Sequence, residues 1–239
     1  MRSVHCYIIV LTCLLTGCYG HRQVGLLQTR TNLPQYDSVV YQPYRLQVND
    51  EIAYRIMSMD KTITPTLNKN AVTRIYEDGT IDIPFVSPVK IEGLTEAEAT
   101  DTLRSHLRNF IPDAEIKIAL HNKQFTVLGD VVSGKYPIYK ERLTIFQALA
   151  MTGDVMTSAD KRHIRIVRNI GSQQPQILEF DLRTNTVINS EYYYVYPNDL
   201  IYVSRDKGSF YKVPSYASFI ALVSSSVSLL VVVLNYSGL

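Results

Sequence analysis

Tryptophan is absent from the 239-residue chain, and its three cysteines, Cys6, Cys13 and Cys18, all sit near the start. Everything downstream must therefore fold without a disulfide or a thiolate metal site. An excess of charge of one sign is also missing, with 24 basic against 22 acidic side chains. No broad basic field exists, which argues against a nucleic-acid partner. His21, His106, His121 and His163 show no metal-ligand spacing such as an i, i+4 pair. Nucleophile elbows, phosphate-binding loops and dinucleotide fingerprints are absent as well. Asp78 and Asp82 read as a hairpin turn and strand alternation. The sequence thus predicts no catalytic residue, no metal site and no cofactor, and a protein that is not an enzyme.

What the chain does have is an apolar segment near each end. Leu15-Thr16-Gly17-Cys18 fits the bacterial lipobox: an aliphatic residue, two small residues and the cysteine that becomes the acylated N-terminus. Arg2 supplies a basic start, and the apolar run from Cys6 to Leu15 is too short to cross a bilayer. Residues 1–17 are therefore expected to be a signal peptide and Cys18 the site of lipidation. Several acyl chains anchor firmly where one does not, and Tyr19, in place of Asp, points to the outer membrane.

The second segment, Tyr216 to Tyr236, carries no charged residue. As a helix it would be about 30 Å long, the thickness of a hydrocarbon core. At about 100° per residue, Phe219, Ile220, Val223, Val227, Leu230, Val231 and Leu234 share one arc free of polar groups. Ser218, Ser224, Ser225 and Ser228 lie on the other side, with Ser215, Ser226 and Asn235 and some aliphatics. The first set is assigned to lipid and the second to a lumen or a neighbouring helix. A single anchoring helix whose small residues merely tolerate packing is the simpler alternative.

Between the ends, residues 18–43 are polar and aperiodic and read as a lipidated tether. A first unit is placed at 44–122. It opens on short strands around Asn49-Asp50 and carries a hairpin signal from Val72 to Phe85 with Asp78-Gly79 at its turn. Thr95-x-x-Glu98 is a capping box, and it starts a helix with Ala99, Leu103, Leu107 and Phe110 as its apolar positions. Pro112 ends that helix, and Ile116, Ile118 and Leu120 alternate as a strand.

A second unit is placed at 123–204. Gly129 and Gly134 mark turns between its short strands, Thr144 and Gln147 cap a short helix, and Gly153 ends it. Residues 205–239 hold the linker and the closing helix, about 216–236. The whole is expected to be an α+β fold of two small β-rich domains followed by a C-terminal transmembrane helix. Asn49-Asp50-x-Ile52 is echoed by Asn198-Asp199-x-Ile201 near the other end of the folded part. Asn tolerates the left-handed conformation a sharp turn before a strand can require.

These motifs, in this order, resemble the outer-membrane polysaccharide export proteins, the family of Wza-type capsule and exopolysaccharide exporters. Tyr44 to Tyr54 looks like the family's opening strand and turn. Asp78-Gly79-Thr80-Ile81, Ile83-Pro84-Phe85 and Val89-x-Ile91-x-Gly93-Leu94 look like its signature hairpin. Thr95 to Leu107 resembles the helix that follows, and Pro112-Asp113 to Leu120 the next strand. Val127-x-Gly129-Asp130-Val131, Gly134-x-Tyr136 and Pro197-Asn198-Asp199 resemble a soluble-ligand-binding β-grasp domain. Asn49 and Asn198 stand where the family pattern has Gly, Ser133 where it has Pro, and Asp154 where it has a second Gly.

The resemblance implies a homo-oligomeric ring with a central channel, a polysaccharide as cargo, and an inner-membrane polysaccharide co-polymerase as partner. It further implies one C-terminal helix per protomer in an outer-membrane helical barrel, with the bulk of the chain periplasmic. The competing reading is a monomeric periplasmic glycan-binding lipoprotein with a C-terminal anchor. The basic run Lys161-Arg162-His163, with Arg165 and Arg168, would be a solvated face or a contact for acidic glycan. Tyr192 to Tyr196 would alternate into a core or a ring interface, or stack on sugars.

Overall fold

A computed structural model of the chain describes residues 25–59, 70–84, 86–153, 155–156, 158–169, 174–208 and 216–236. The lipobox with Cys18, and Tyr19, His21, Phe85 and Asp154, lie outside the described residues. Helices and several sheets are mixed along the chain, in line with the expected α+β class.

The first unit is built on β1 (Glu51–Met57), flanked antiparallel by β2 (Ala71–Arg74) and β5 (Glu115–Leu120). Period-two alternation turns Ile52 and Ile56 of β1, and Ile116 and Leu120 of β5, to one face. Strands β3 (Thr80–Ile83) and β4 (Val86–Lys90) form a separate antiparallel pair that buries Ile81, Ile83 and Val89 in the same core. The hairpin ladder is thus β3 with β4. Strand β2 joins β1 instead of β3, because Ile75 is pinned to the other sheet through Asn49 and Asp50.

Helix α1 (Glu96–Arg108) covers this core with Ala99, Leu103 and Leu107, spaced i, i+4, i+8. Its capping box is complete: Thr95 Oγ1 accepts from Glu98 N, and Glu98 Oε2 accepts from Thr95 N. The helix stops before Phe110, which is 63% exposed, and Ile111 takes the core position in the following turn.

The second unit is a five-stranded sheet of order β10-β9-β12-β6-β7. Its strands are β6 (Gln124–Gly129), β7 (Gly134–Pro137), β9 (Ala159–Arg168), β10 (Gln176–Phe180) and β12 (Leu200–Arg205). Strands β6 and β12 run parallel, so the whole stretch from β7 onward serves as their crossover. Two short strands, β8 (Leu143–Thr144) and β11 (Tyr194–Val195), pair antiparallel beside helix α2 (Ile145–Met151). Ile145, Ala148 and Leu149 of α2 share one core with Phe125, Val127, Ile164, Ile166, Ile201 and Val203. Only Tyr194 and Val195 of the tyrosine run are strand; Tyr192 lies outside it and stacks on Phe180, ring centroids 5.0 to 5.1 Å from Tyr36 and Phe180.

The stretch expected to be a free tether is laid along this second unit from residue 25 on. Gln28 bridges Thr184, Tyr36 accepts from Asp181 N through its hydroxyl at 2.8 Å, and Val39 N donates to Asn189 O at 2.8 Å. Leu33 is buried there. A polar, aperiodic segment conceals such docking, because its anchors are backbone groups satisfied by loops distant in sequence.

Helix α3 (Tyr216–Tyr236) forms where the uncharged segment predicts a helix. Among the described residues, however, no helix is long and apolar enough to cross a membrane, so the expected C-terminal transmembrane helix is not supported. Ile220, Val227 and Val231 of the apolar arc are exposed and Val223 is half-buried. The side chains of Ser218, Phe219, Leu230 and Leu234 lie outside the described residues.

Gly129 is the tightest backbone approach in the second sheet. Its φ is +109°, and a Cβ there would sit 1.9 Å from the carbonyl oxygen of Val203 on the parallel neighbour. Gly129→Ala is expected to destabilise the fold by more than about 2 kcal/mol, measured by urea denaturation. Gly134→Ala serves as the mild control, since its Cβ would only touch the Tyr136 ring at 3.5 Å.

Candidate functional site

The echoed Asn-Asp turns have the same geometry and meet each other. Asn49 and Asn198 both adopt left-handed backbone, with φ of 70° and 66°. Asp50 Oδ2 accepts from Gln47 N at 2.9 Å, and Asp199 Oδ2 accepts from Tyr196 N at 2.8 Å, each reaching back three residues. Both carboxylates are 1% exposed. The turns deliver the chain into β1 and β12, where Ile52 and Ile201 are fully buried. Across the junction, the Asn198 side-chain amide donates to Asp50 Oδ1 at 3.1 Å.

Each buried carboxylate has its own further partner. Tyr44 donates its hydroxyl to Asp50 Oδ2 at 2.8 Å. Burial pushes the Asp50 carboxyl above its ordinary value, while the Gln47 N–H, the Tyr44 hydroxyl and the Asn198 amide pull it back. Burial and the neighbouring Asp50 carboxylate together drive the Tyr44 phenol strongly upward, so it stays protonated and donates. Asp199 is gripped by Arg168, through Nε at 3.0 Å and a terminal nitrogen at 2.8 Å. Burial pushes Asp199 up and the Arg168 guanidinium counters it. Arg168 also donates to Tyr194 O at 2.9 Å and lies 4.3 Å from the centroid of the Tyr196 ring. Arg168 is therefore buried in the junction, and only the rest of the basic run is on the solvated side. Its phase announces this, since it follows Ile164 and Ile166 at i+2 steps along β9.

Beside the junction lies a cleft of about 370 Å³. Tyr41, Tyr44 and Tyr196 form its aromatic side, the first turn of α1 its floor, and Lys140, Glu141 and Arg142 its rim. Tyr41 and Tyr196 are stacked with centroids 6.0 Å apart and planes 15° from parallel. The Arg142 guanidinium rests 4.5 Å from the Tyr41 centroid. Lys123 spans the cleft edge to Glu96 at 2.7 Å. Sequence spacing offers no signal for this group, because Tyr41 and Arg142 are a hundred positions apart.

The other singled-out residues serve turns away from the cleft. Asp78 Oδ1 accepts from Thr80 N at 2.9 Å and from the Thr80 hydroxyl at 2.7 Å, and these bonds hold its carboxyl below the usual range. Gly79 has φ of +79°, and its carbonyl accepts from Ile91 N and Glu92 N. Gly153 follows α2 with φ of +82°, and Gly134 opens β7. Among the described residues, no group of three His, Cys, Asp or Glu side chains is arranged to hold a metal.

Two outcomes follow from the junction. Because folding raises the Asp50 pKa, its favourable contribution is complete below about pH 4 and fades as pH rises through the raised value. Asp50→Asn should therefore gain ground on the wild type as pH increases from about 4 to 7, read as the difference in melting temperature at each pH. Arg168→Met leaves Asp199 buried without its counter-charge and should cost about 3 kcal/mol. Adding Asp199→Asn should recover part of that loss in chemical denaturation.

Residues 38–121 match the family model described as polysaccharide biosynthesis/export protein. The matched stretch runs from the end of the docked strap through the three-stranded sheet, the β3–β4 pair and α1 of the first unit, and stops where the second unit begins. Its opening turn at Asn49-Asp50, its β3–β4 hairpin and its capped helix are the features that carried the resemblance, and it is this first unit that is similar to the polysaccharide biosynthesis/export proteins.

Proposed function

We propose that the chain is an envelope lipoprotein, several copies of which form a ring that conducts a polysaccharide through the outer membrane to the cell surface. The observation that carries this is the family match over residues 38–121, which implies a polysaccharide as cargo and an envelope location. The route is a conduit, with no bond made or broken and no cofactor. An inner-membrane polysaccharide co-polymerase would deliver the chain. Residues 123–204 would act as the soluble-ligand-binding β-grasp domain that their motifs resemble.

Helix α3 fits this reading better in company than alone. Set side by side in a ring, the copies would turn Ser224, Ser225 and Ser228 toward one another or a wet interior. Only the arc with Ile220, Val223, Val227 and Val231 would then meet lipid. Acyl chains on Cys18 would fix each protomer to the same membrane.

The aromatic cleft favours a second reading, a monomeric glycan-binding lipoprotein. The mass of the detergent-solubilised mature protein, with lipid and detergent subtracted, separates the two. A closed oligomer of defined size is expected. A monomer that persists across detergents and concentrations would sink the channel and leave the binding module. Deleting residues 214–239 should abolish surface polysaccharide in cells while leaving the two β-rich units folded by circular dichroism.

A further inference from the structure

The five-stranded sheet of the second unit ends on β10 at one edge and on β7 at the other. What each edge offers follows from the bonds inside the sheet. Thr126 N donates to Asp199 O at 2.9 Å and Asp130 N to Val203 O at 2.8 Å, so even positions of β6 face β12 and odd ones face β7. Phe125 and Val127 therefore bond Tyr136 and Gly134, and Ile138 N continues that ladder to Lys123 O at 2.9 Å. Lys135 and Pro137 are left with their backbone groups turned to the outer edge. The same alternation, carried through β12 and β9, points Leu178 and Phe180 of β10 toward β9 and Ile177 and Glu179 away from it. Asp181, next in that outward phase, gives its N–H to the Tyr36 hydroxyl of the strap, which closes the edge there.

Among the described residues, Ile177, Glu179, Lys135 and Pro137 make no main-chain bond outside their own sheet. Their side chains share the outer face, opposite the core that holds Phe125, Ile166 and Ile201. All are exposed there, Ile177 by 68%. Glu179 reaches Arg165 through Oε2 alone, and Lys135 enters no ion pair among the described residues. Strand polarity also fits: β10 and β7 run in opposite directions, so these edges of two copies would meet as an antiparallel pair.

We propose that β10 of one copy adds to β7 of the next, making the second-unit sheets continuous around the ring. In the register that places Glu179 opposite Lys135 of the next copy, these two exchange both main-chain bonds and form an ion pair. Ile177 then lies against Pro137, which has no N–H and only accepts, and Leu178 lies against Tyr136. A shift of two residues either way sets Glu179 opposite Pro137 or Ser133 and loses the ion pair. Self-pairing of β10 centred on Glu179, or of β7 centred on Lys135, sets like charges face to face. Lys and Pro on an edge ordinarily deter an added strand; Glu179 and the one-sided bond at Pro137 admit this one. The inference rests on the ring reading and assigns the strands that join its copies. Two different edges meet, so the contact is head-to-tail, the kind that closes into rings.

The test uses the mature lipidated chain in detergent, whose one cysteine, Cys18, is acylated on the export reading. Ile177→Cys and Pro137→Cys are combined. Within one copy the two positions lie at opposite edges of the sheet, roughly 19 Å apart and too far for a disulfide. Facing each other between copies, their Cα atoms would be about 5.5 Å apart, within disulfide reach. Mild oxidation is expected to give a ladder of linked chains on a non-reducing gel, and monomers with either single variant. Lys135→Glu should lose the closed oligomer by mass, Lys135→Arg should keep it, and both should retain the wild-type circular dichroism. No ladder, a ladder that stops at dimers, or an unchanged mass for Lys135→Glu would overturn the proposal. The wild-type mass separates this from the ring itself. A closed wild-type oligomer without a ladder sinks the edge pairing and keeps the ring, whereas a wild-type monomer sinks both.

Discussion

A carboxylate that reaches back three residues to cap its own turn, and is then buried, is the constraint on which both units depend. Asp50 does this at the entry to β1, and Asp199 at the entry to β12. Those strands are the central members of their sheets. Each turn therefore sets the register of everything paired to its strand, from Ile52 opposite Leu120 to Ile201 opposite Ile166 and Val127. Left-handed Asn before each Asp supplies the sharp reversal, at a modest strain that Gly would not incur. Burying the two carboxylates costs far more than that, and the partners offset it: Tyr44 and Asn198 for Asp50, Arg168 for Asp199.

The same residues tie the units together. Asn198 belongs to the second turn but hydrogen-bonds the first, and Gln47 of the first unit reaches Asn169 O of the second at 2.8 Å. The docked strap adds Tyr196 Oη donating to Gln42 O. These contacts between the units are polar, made by side-chain amides and backbone carbonyls. The same arrangement brings Tyr41, Tyr196 and Arg142 to one cleft.

Much of the local structure is legible along the chain. The two capping boxes, Thr95 with Glu98 and Thr144 with Gln147, form as their spacing predicts, because a cap is decided within one turn. Ala99, Leu103 and Leu107 face the core for the same reason. Phe110 does not, since its spacing assumed a helix that the structure ends at Arg108. The hairpin was read one strand too early. Asp78-Gly79 does make a turn, but whether the strand before it pairs with the strand after it depends on Ile75 and the distant Asn49.

By itself the sequence determined the elements, the order of the two units and the echoed turns, because propensity, capping and periodicity act over a few residues. It also carried the family's motifs, which are local patterns of the same kind. Tertiary structure alone decided that Arg168 turns inward, that the polar stretch after residue 25 is a docked strap, and that Tyr41 and Arg142 meet at a cleft. Those outcomes depend on charges and hydroxyls finding partners far along the chain. A buried ion pair or a stacked guanidinium leaves no periodic trace, since its energy comes from desolvation and geometry that exist only once both units are in place.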